Sequence, residues 1–143
     1  MRVLGIDFGE RRIGLAVSDR SGTLASPVRT IDRRGSSADA VTLILNAIEE
    51  LAHDDPIERI VVGLPRRLDG SDTDQTARVR LFAAELAGRT GLPIDLQDER
   101  LSSREAEERL AVRQRDWRKR KERLDAAAAA VVLQDWLDAT GKR

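Results

Sequence analysis

Acids at three places could carry chemistry: Asp7, the adjacent pair Asp98 and Glu99, and Asp125. Asp7 closes the apolar run Val3-Leu4-Gly5-Ile6. A carboxylate there is costly to bury unless it is paired or holds a cation; the alternative is an Asp that caps the turn to Gly9. Asp98 and Glu99 follow a short apolar segment, so one side chain can face a site and the other solvent. Glu99 is favoured for its longer arm, and the alternative is a salt-bridged loop. Asp125 opens an alanine-rich run whose helical face continues through Ala128/Ala129, Val132 and Trp136. It therefore lies on the apolar stripe; the alternative is an end-of-helix acid near Lys121. The chain has no cysteine and one histidine, His53. Thiolate sites and zinc sites of several imidazoles are excluded, and a Ser-His-Asp triad would rest on His53 alone. An oxygen-only ligand set suits Mg²⁺ or Mn²⁺. Two such ions about 3.5–4 Å apart can activate a water and stabilise the leaving oxygen of a phosphodiester.

The net charge of the 143 residues is zero, with 25 basic and 25 acidic residues, but the distribution is uneven. Residues 109–123 hold eight basic side chains against two acidic ones, a net +6 that leaves −6 on the remainder. Such a block points to polyanion partners. Within it, Arg118, Lys119, Arg120 and Lys121 can contact a nucleic-acid backbone, and Trp117 can stack on a base; a solvated charge run is the alternative. A second phosphate-gripping candidate is the loop from Gly63 to Ser71, through Arg66, Arg67 and Ser71. It lacks the G-x-x-x-x-G-K-[ST] pattern of a Walker loop. His53 follows a helical segment and reads as a C-terminal dipole partner.

The elements that must position these residues follow from pattern. Strands are expected at 2–8, 13–18, 23–31, 57–63 and 93–97, and Pro27 marks the third as an edge strand because it cannot donate to a ladder. Helices are expected at 38–53, from a capping pair Asp72/Gln75 to about Gly88, from the capping box at Ser102 to about Val112, and from about Lys121 to Ala139. The order β-β-β-α-β-α-β-α-α predicts an α/β fold: a five-stranded mixed sheet, three strands antiparallel and two parallel to the first, with helices on both faces. That is the ribonuclease H-like layout. No linker divides the chain, so residues 1–143 are expected to form one domain. No run of about 18 apolar residues exists to span a membrane. The lack of cysteine fits a reducing compartment, and the cytoplasm is the expected location.

Four motifs carry a resemblance: Gly5-Ile6-Asp7-Phe8-Gly9-Glu10-Arg11-Arg12-Ile13-Gly14-Leu15-Ala16-Val17-Ser18-Asp19; Val61-Val62-Gly63-Leu64-Pro65 with Asp69-Gly70-Ser71; Asp98-Glu99-Arg100-Leu101-Ser102-Ser103; and Asp125-Ala126-Ala127-Ala128 with Leu133-Gln134. Taken in order, they resemble the YqgF-type (RuvX-type) family of bacterial Holliday-junction-resolvase-like pre-16S rRNA nucleases. The resemblance implies a ribonuclease H-like fold, metal-dependent phosphodiester hydrolysis and maturation of the 5′ end of small-subunit ribosomal RNA. It places the family's acids on Asp7, the Asp98-Glu99 pair and Asp125. Many members of the wider superfamily carry an acid at the end of the fourth strand. Here that position reads Gly63-Leu64-Pro65, so the second acid must come from Asp98 or Glu99. The competing classes are a resolvase of branched DNA, a non-catalytic RNA-binding assembly factor, and a sugar-kinase or actin-type ATPase. The last needs two such domains to enclose a nucleotide.

The basic block generates the first test. Replacing Arg118, Lys119, Arg120 and Lys121 by glutamine should weaken nucleic-acid binding across all sequences. It should also flatten the salt dependence, by about 0.7–0.9 in log–log slope for each phosphate no longer neutralised. Titrations at several salt concentrations check this; an unchanged affinity and slope would mark the block as a solvated charge run.

Overall fold

In a computed structural model the structure describes residues 1–33, 39–53, 55–99 and 117–141, with the side chains of 117–124 outside that description. The strands are β1 (Val3–Phe8), β2 (Arg12–Ser18), β3 (Ala25–Asp32), β4 (Arg59–Leu64) and β5 (Ile94–Asp98). The helices are α1 (Ala40–Leu51), α2 (Asp74–Thr90) and α3 (Trp117–Gly141). The strands form one sheet in the order β3-β2-β1-β4-β5. β1, β2 and β3 pair antiparallel, while β4 runs parallel to β1 and β5 parallel to β4. This is the mixed sheet expected from the element order, with Pro27 on its edge strand.

Alternation along β1 sorts its residues onto the two faces. Leu4, Ile6 and Phe8 join Ile13, Leu15, Ile60 and Val62 beneath Val41 and Ile44 of α1 and Val79, Phe82 and Leu86 of α2. Each of these large apolar side chains contributes on the order of 1.5–3 kcal/mol when fully buried. On the other face, Val3, Ala16 and Val61 pack against Ala129, Val132, Leu133, Trp136 and Leu137 of α3. That second face also carries Gly5 and Asp7.

Two boundaries differ from expectation. The cap of α2 is Thr73, which accepts from the Thr76 amide while Thr76 returns a bond to the Thr73 amide. Asp72 is held instead by Arg66 and Arg80, and Gln75 donates from Nε2 to the Phe8 carbonyl at 3.2 Å. The α2 amino terminus is thereby fastened to the end of β1. Helix α3 starts at Trp117, four residues before Lys121, because the Arg, Lys and Glu residues there are good helix formers with no Gly or Pro among them. The helix expected after Ser102 lies outside the described residues. No helix among the described residues is long and apolar enough to cross a membrane.

Close packing of α3 depends on glycine. A Cβ on Gly14 would overlap the backbone carbonyl of Asp125, and one on Gly5 would stand 2.7 Å from Cβ of Leu133. At Gly88, on α2, an added Cβ would meet nothing within 4 Å. Gly14→Ala should therefore cost at least about 2 kcal/mol through forced displacement of α3. Gly88→Ala should stabilise by about 0.5–1 kcal/mol through helix propensity. Urea unfolding of the two variants checks the pair of signs.

Candidate active site

Asp7 stands one residue before the end of β1 and is partly buried, on the face covered by α3. Its partner across the β1–β2 ladder is Gly14. Because the Asp125 backbone rests on Gly14, the register delivers Asp125 to the neighbourhood of Asp7. Glu99 arrives from the opposite direction. Its amide donates to the Leu64 carbonyl at 3.2 Å and so prolongs the β4–β5 pairing by one residue. Glu99 therefore shares a face with Asp95 and Gln97, and Asp95 accepts from Trp136 of α3 at 3.0 Å. The Glu99 carboxyl lies directly over Gly63: a Cβ there would be 2.7 Å from Oε2 and 2.9 Å from Cδ. The bare strand end at Gly63 is thus the space that the Glu99 head group fills.

The result is a carboxyl–carboxyl hydrogen bond between Asp7 and Glu99, with the charge of Asp125 acting on Asp7 from nearby. Burial, offset by the Glu99 bond and reinforced by Asp125, pushes Asp7 up to about 6. Burial, then the Asp7 charge and the bond to it, pushes Glu99 up to about 10. Near neutral pH the pair holds one proton between its two acids. Glu99 Oε2 is buried and has no hydrogen-bond partner among the described residues. Among the described residues no three His, Asp or Glu side chains are already spaced as ligands of one ion. Asp7 and Glu99 touch, whereas Asp125 acts through space.

Asp98 points away from this cluster. It is level with Leu64 across the β4–β5 ladder and faces Arg66, Nη1 to Oδ2 at 3.9 Å. Arg66 also meets Asp72 at 3.4 Å. Arg67 donates to Ser71 Oγ at 3.3 Å and to the Asp72 carbonyl at 2.7 Å. The Ser71 hydroxyl donates to Asp69 at 2.6 Å, and Gly70 takes φ of +87° to close the turn. The three residues expected to grip phosphate are thus engaged within or beside their own loop, and a phosphate would compete for them. His53 is exposed just beyond α1. Arg118, Lys119, Arg120 and Lys121 fall in the first turns of α3, but their side chains and that of Trp117 lie outside the described residues.

Sequence reasoning missed Gly63 and Gln134 as positioning residues. Gln134 accepts from the Ala25 amide and donates to the Thr23 carbonyl, each at 2.9 Å, which ties α3 to the start of β3. A glycine at the end of a buried strand signals a close approach. Nothing in the residue types alone points to the Gln134 contact.

The shared proton has a thermodynamic consequence. Both acids titrate higher in the folded chain than in the unfolded one, from ordinary values of 3.8 and 4.5. Between about pH 4 and 10 the folded state therefore binds more protons, and stability must fall as pH rises through that window. Metal-stripped protein should have a lower urea midpoint at pH 9 than at pH 5. Glu99→Gln should flatten that slope and stabilise the chain by about 1–3 kcal/mol at pH 8. A midpoint equally pH-dependent in Glu99→Gln would show that the pair is not its source.

Comparison with known proteins bears on the family and the fold. The RuvX family model, described as Holliday junction resolvase, matches residues 1–139. A protein of Anaeromyxobacter dehalogenans described as "Putative pre-16S rRNA nuclease" is 47% identical over 138 residues, covering 96% of this chain and 97% of its own. Among solved structures, Thermus thermophilus RuvC in complex with a Holliday junction substrate superposes with a TM-score of 0.54 at 18% identity, over 99% of this chain and 96% of RuvC. A ROK hexokinase from Thermus thermophilus reaches 0.50 at 23% identity, but only 38% of that chain is covered. The fold is therefore shared with part of a much longer hexokinase, while RuvC and the pre-16S rRNA nuclease relative are matched over nearly their full length. The chain shares its fold with RuvC, and by sequence over almost its whole length it belongs to the RuvX family.

Proposed function

We propose that this chain is a divalent-metal-dependent nuclease that hydrolyses phosphodiester bonds in the 5′-end maturation of pre-16S rRNA, and that residues 1–143 act as one catalytic domain. The observation that carries the reading is the Asp7–Glu99 carboxyl pair with the charge of Asp125 beside it. Asp7 of β1 and Glu99 at the end of β5 are in contact and share a proton, and the charge of Asp125 on α3 acts on Asp7. A doubly charged cation relieves their repulsion better. The donors are all oxygen, and the buried Oε2 of Glu99, without a partner among the described residues, is available to it. Asp7, Glu99 and Asp125 would hold Mg²⁺ or Mn²⁺, with Asp98 turned away toward Arg66. Such ions lower the pKa of water and neutralise charge on a phosphate.

The protein's own contributions follow from the geometry. Gly63 leaves Glu99 room to reach Asp7. Gly14 lets α3 bring Asp125 down to the sheet. The Asp7–Glu99 pair must give up its shared proton as the site is loaded, so loading should release protons and weaken in acid. The basic turns at the start of α3 precede Asp125 in the same helix, where a bound backbone would lead toward the acids. A ribosomal precursor as substrate places the protein in the cytoplasm. The family's description favours a second reading, cleavage of branched DNA.

Purified full-length chain, tested against precursor rRNA fragments and four-way DNA junctions with Mn²⁺ or with excess EDTA, decides between them. RNA cleavage should require the metal. Asp7→Asn should lower it at least about 100-fold, the scale of losing a positioned catalytic group, while binding is retained. Undiminished cleavage in EDTA or by Asp7→Asn would overturn the reading, and cleavage confined to junctions would favour the second.

A further inference from the structure

A groove of about 560 Å³ opens at the end of β1, on the face opposite the acids. It is lined by Phe8, Glu10, Arg33, Gln75, Arg78 and Leu81. Its floor, Phe8, is the residue after Asp7, so the groove and the acid cluster sit on the two sides of one strand end.

The groove contains an unfinished stack. The rings of Phe82 and Phe8 lie 4.1 Å apart with planes 16° from parallel. The Arg33 guanidinium lies over Phe8, 4.8 Å from the ring centre. Its Nη1 is fixed by the carbonyls of Gly9 at 3.1 Å and Glu10 at 3.2 Å. Arg33 thus has a set orientation and lines the open space. Across from it, Gln75, Arg78 and Leu81 recur along one stripe of α2, and Leu81 is 74% exposed. An aliphatic side chain left this exposed beside a guanidinium and an aromatic floor makes a slot for a flat, partly apolar group. Arg78 pairs with Glu10 at 3.1 Å, but both side chains are largely exposed. Such pairs are worth about 0–1 kcal/mol, so a phosphate can displace Glu10. The volume falls in the range of about 300–1,000 Å³ typical of small-ligand sites.

We propose that this groove is a nucleotide subsite: it takes one unpaired base of the substrate strand, stacked on Arg33 against Leu81, with the adjoining phosphate on Arg78. Unpaired bases stack on guanidinium planes and aromatic rings with little sequence preference, and arginine takes the phosphate. The strand then passes around the end of β1 to present the next phosphate to Asp7. The inference deepens the nuclease reading. It depends on that reading for where the bond is cut, and the binding itself can be measured without any cleavage.

The test uses full-length Asp7→Asn protein and a labelled single-stranded oligonucleotide, in RNA and DNA versions, read by fluorescence anisotropy. Adding Arg33→Gln and Arg78→Gln should weaken binding by roughly 5-fold or more. The salt slope should drop by about 0.7 for the one phosphate set free. Because Arg33 also supports the β1–β2 turn, Arg78→Gln with Leu81→Ser, both on the exposed face of α2, provides a second variant that spares the turn. It should show a loss in the same direction with an unchanged melting temperature. Fully base-paired duplex should be affected much less than single strand. Equal affinity of the Arg78/Leu81 variant and its parent for single strands would overturn the subsite, as would an equal loss for duplex. If the wild-type chain fails to cleave while these losses appear, the nuclease reading falls and the subsite stands. If it cleaves with an unchanged KM in the Arg78/Leu81 variant, the subsite falls alone.

Discussion

At Gly14 there is no side chain between the sheet and α3, and the helix backbone at Asp125 rests on the strand itself. The arrangement of acids depends on that contact. An ordinary helix-on-sheet spacing, kept apart by side chains on both layers, would leave Asp125 too distant to influence Asp7. Gly5 repeats the device beneath Ala129 and Leu133, so the helix lies flat rather than tilting off at one end. The alanines at 128 and 129 complete it from the helix side, both buried. Farther along, Trp136 donates to Asp95, which also pairs with Arg59. The carboxyl half of α3 is thus anchored on β4 and β5, and its amino half is held down on β2.

The same compactness sets the electrostatics. Two carboxyl groups in contact under a helix cannot both ionise at modest cost, so they share a proton. Asp98, one residue from Glu99, is turned out of contact with the pair by strand parity, although its charge still adds to the upward push on Glu99. It projects to the other face and meets Arg66, so neighbouring acids end in opposite environments. Conflict of this kind at a site, offset by well-packed layers on both sides of the sheet, is the usual division between the working part of a fold and its support.

Much of this was legible in the residues, for definable reasons. The alternation of β1, the proline of β3 and the 3.6-residue stripe that turns Asp125 inward are local periodicities, and they carry topology and facing with them. The choice between Asp98 and Glu99 was less accessible. It depends on whether β5 ends at Gln97 or Asp98, and a shift of one residue reverses every side chain. The cap of α2 moved from Asp72 to Thr73 because Asp72 is claimed by Arg66 and Arg80, and tertiary partners of that kind leave no local mark. The loop arginines were readable as cations but not as cations already engaged by their own loop. The role of Gly63 was visible only as a missing acid and a glycine that invites close approach; the Glu99 head group that fills its space comes from thirty-six residues later in the chain.

Gln134 has a consequence beyond fastening a helix. Its side-chain amide accepts from the backbone of Ala25 and donates to that of Thr23, as a residue of a neighbouring strand would. Two positions farther along the same margin, Pro27 offers no amide hydrogen. The free border of β3 is therefore already occupied at its start and interrupted soon after. An extended chain from another molecule finds no continuous row of donors and acceptors there. A protein whose proposed task is to handle long, partly unfolded polymers thus keeps one margin of its sheet from recruiting polypeptide.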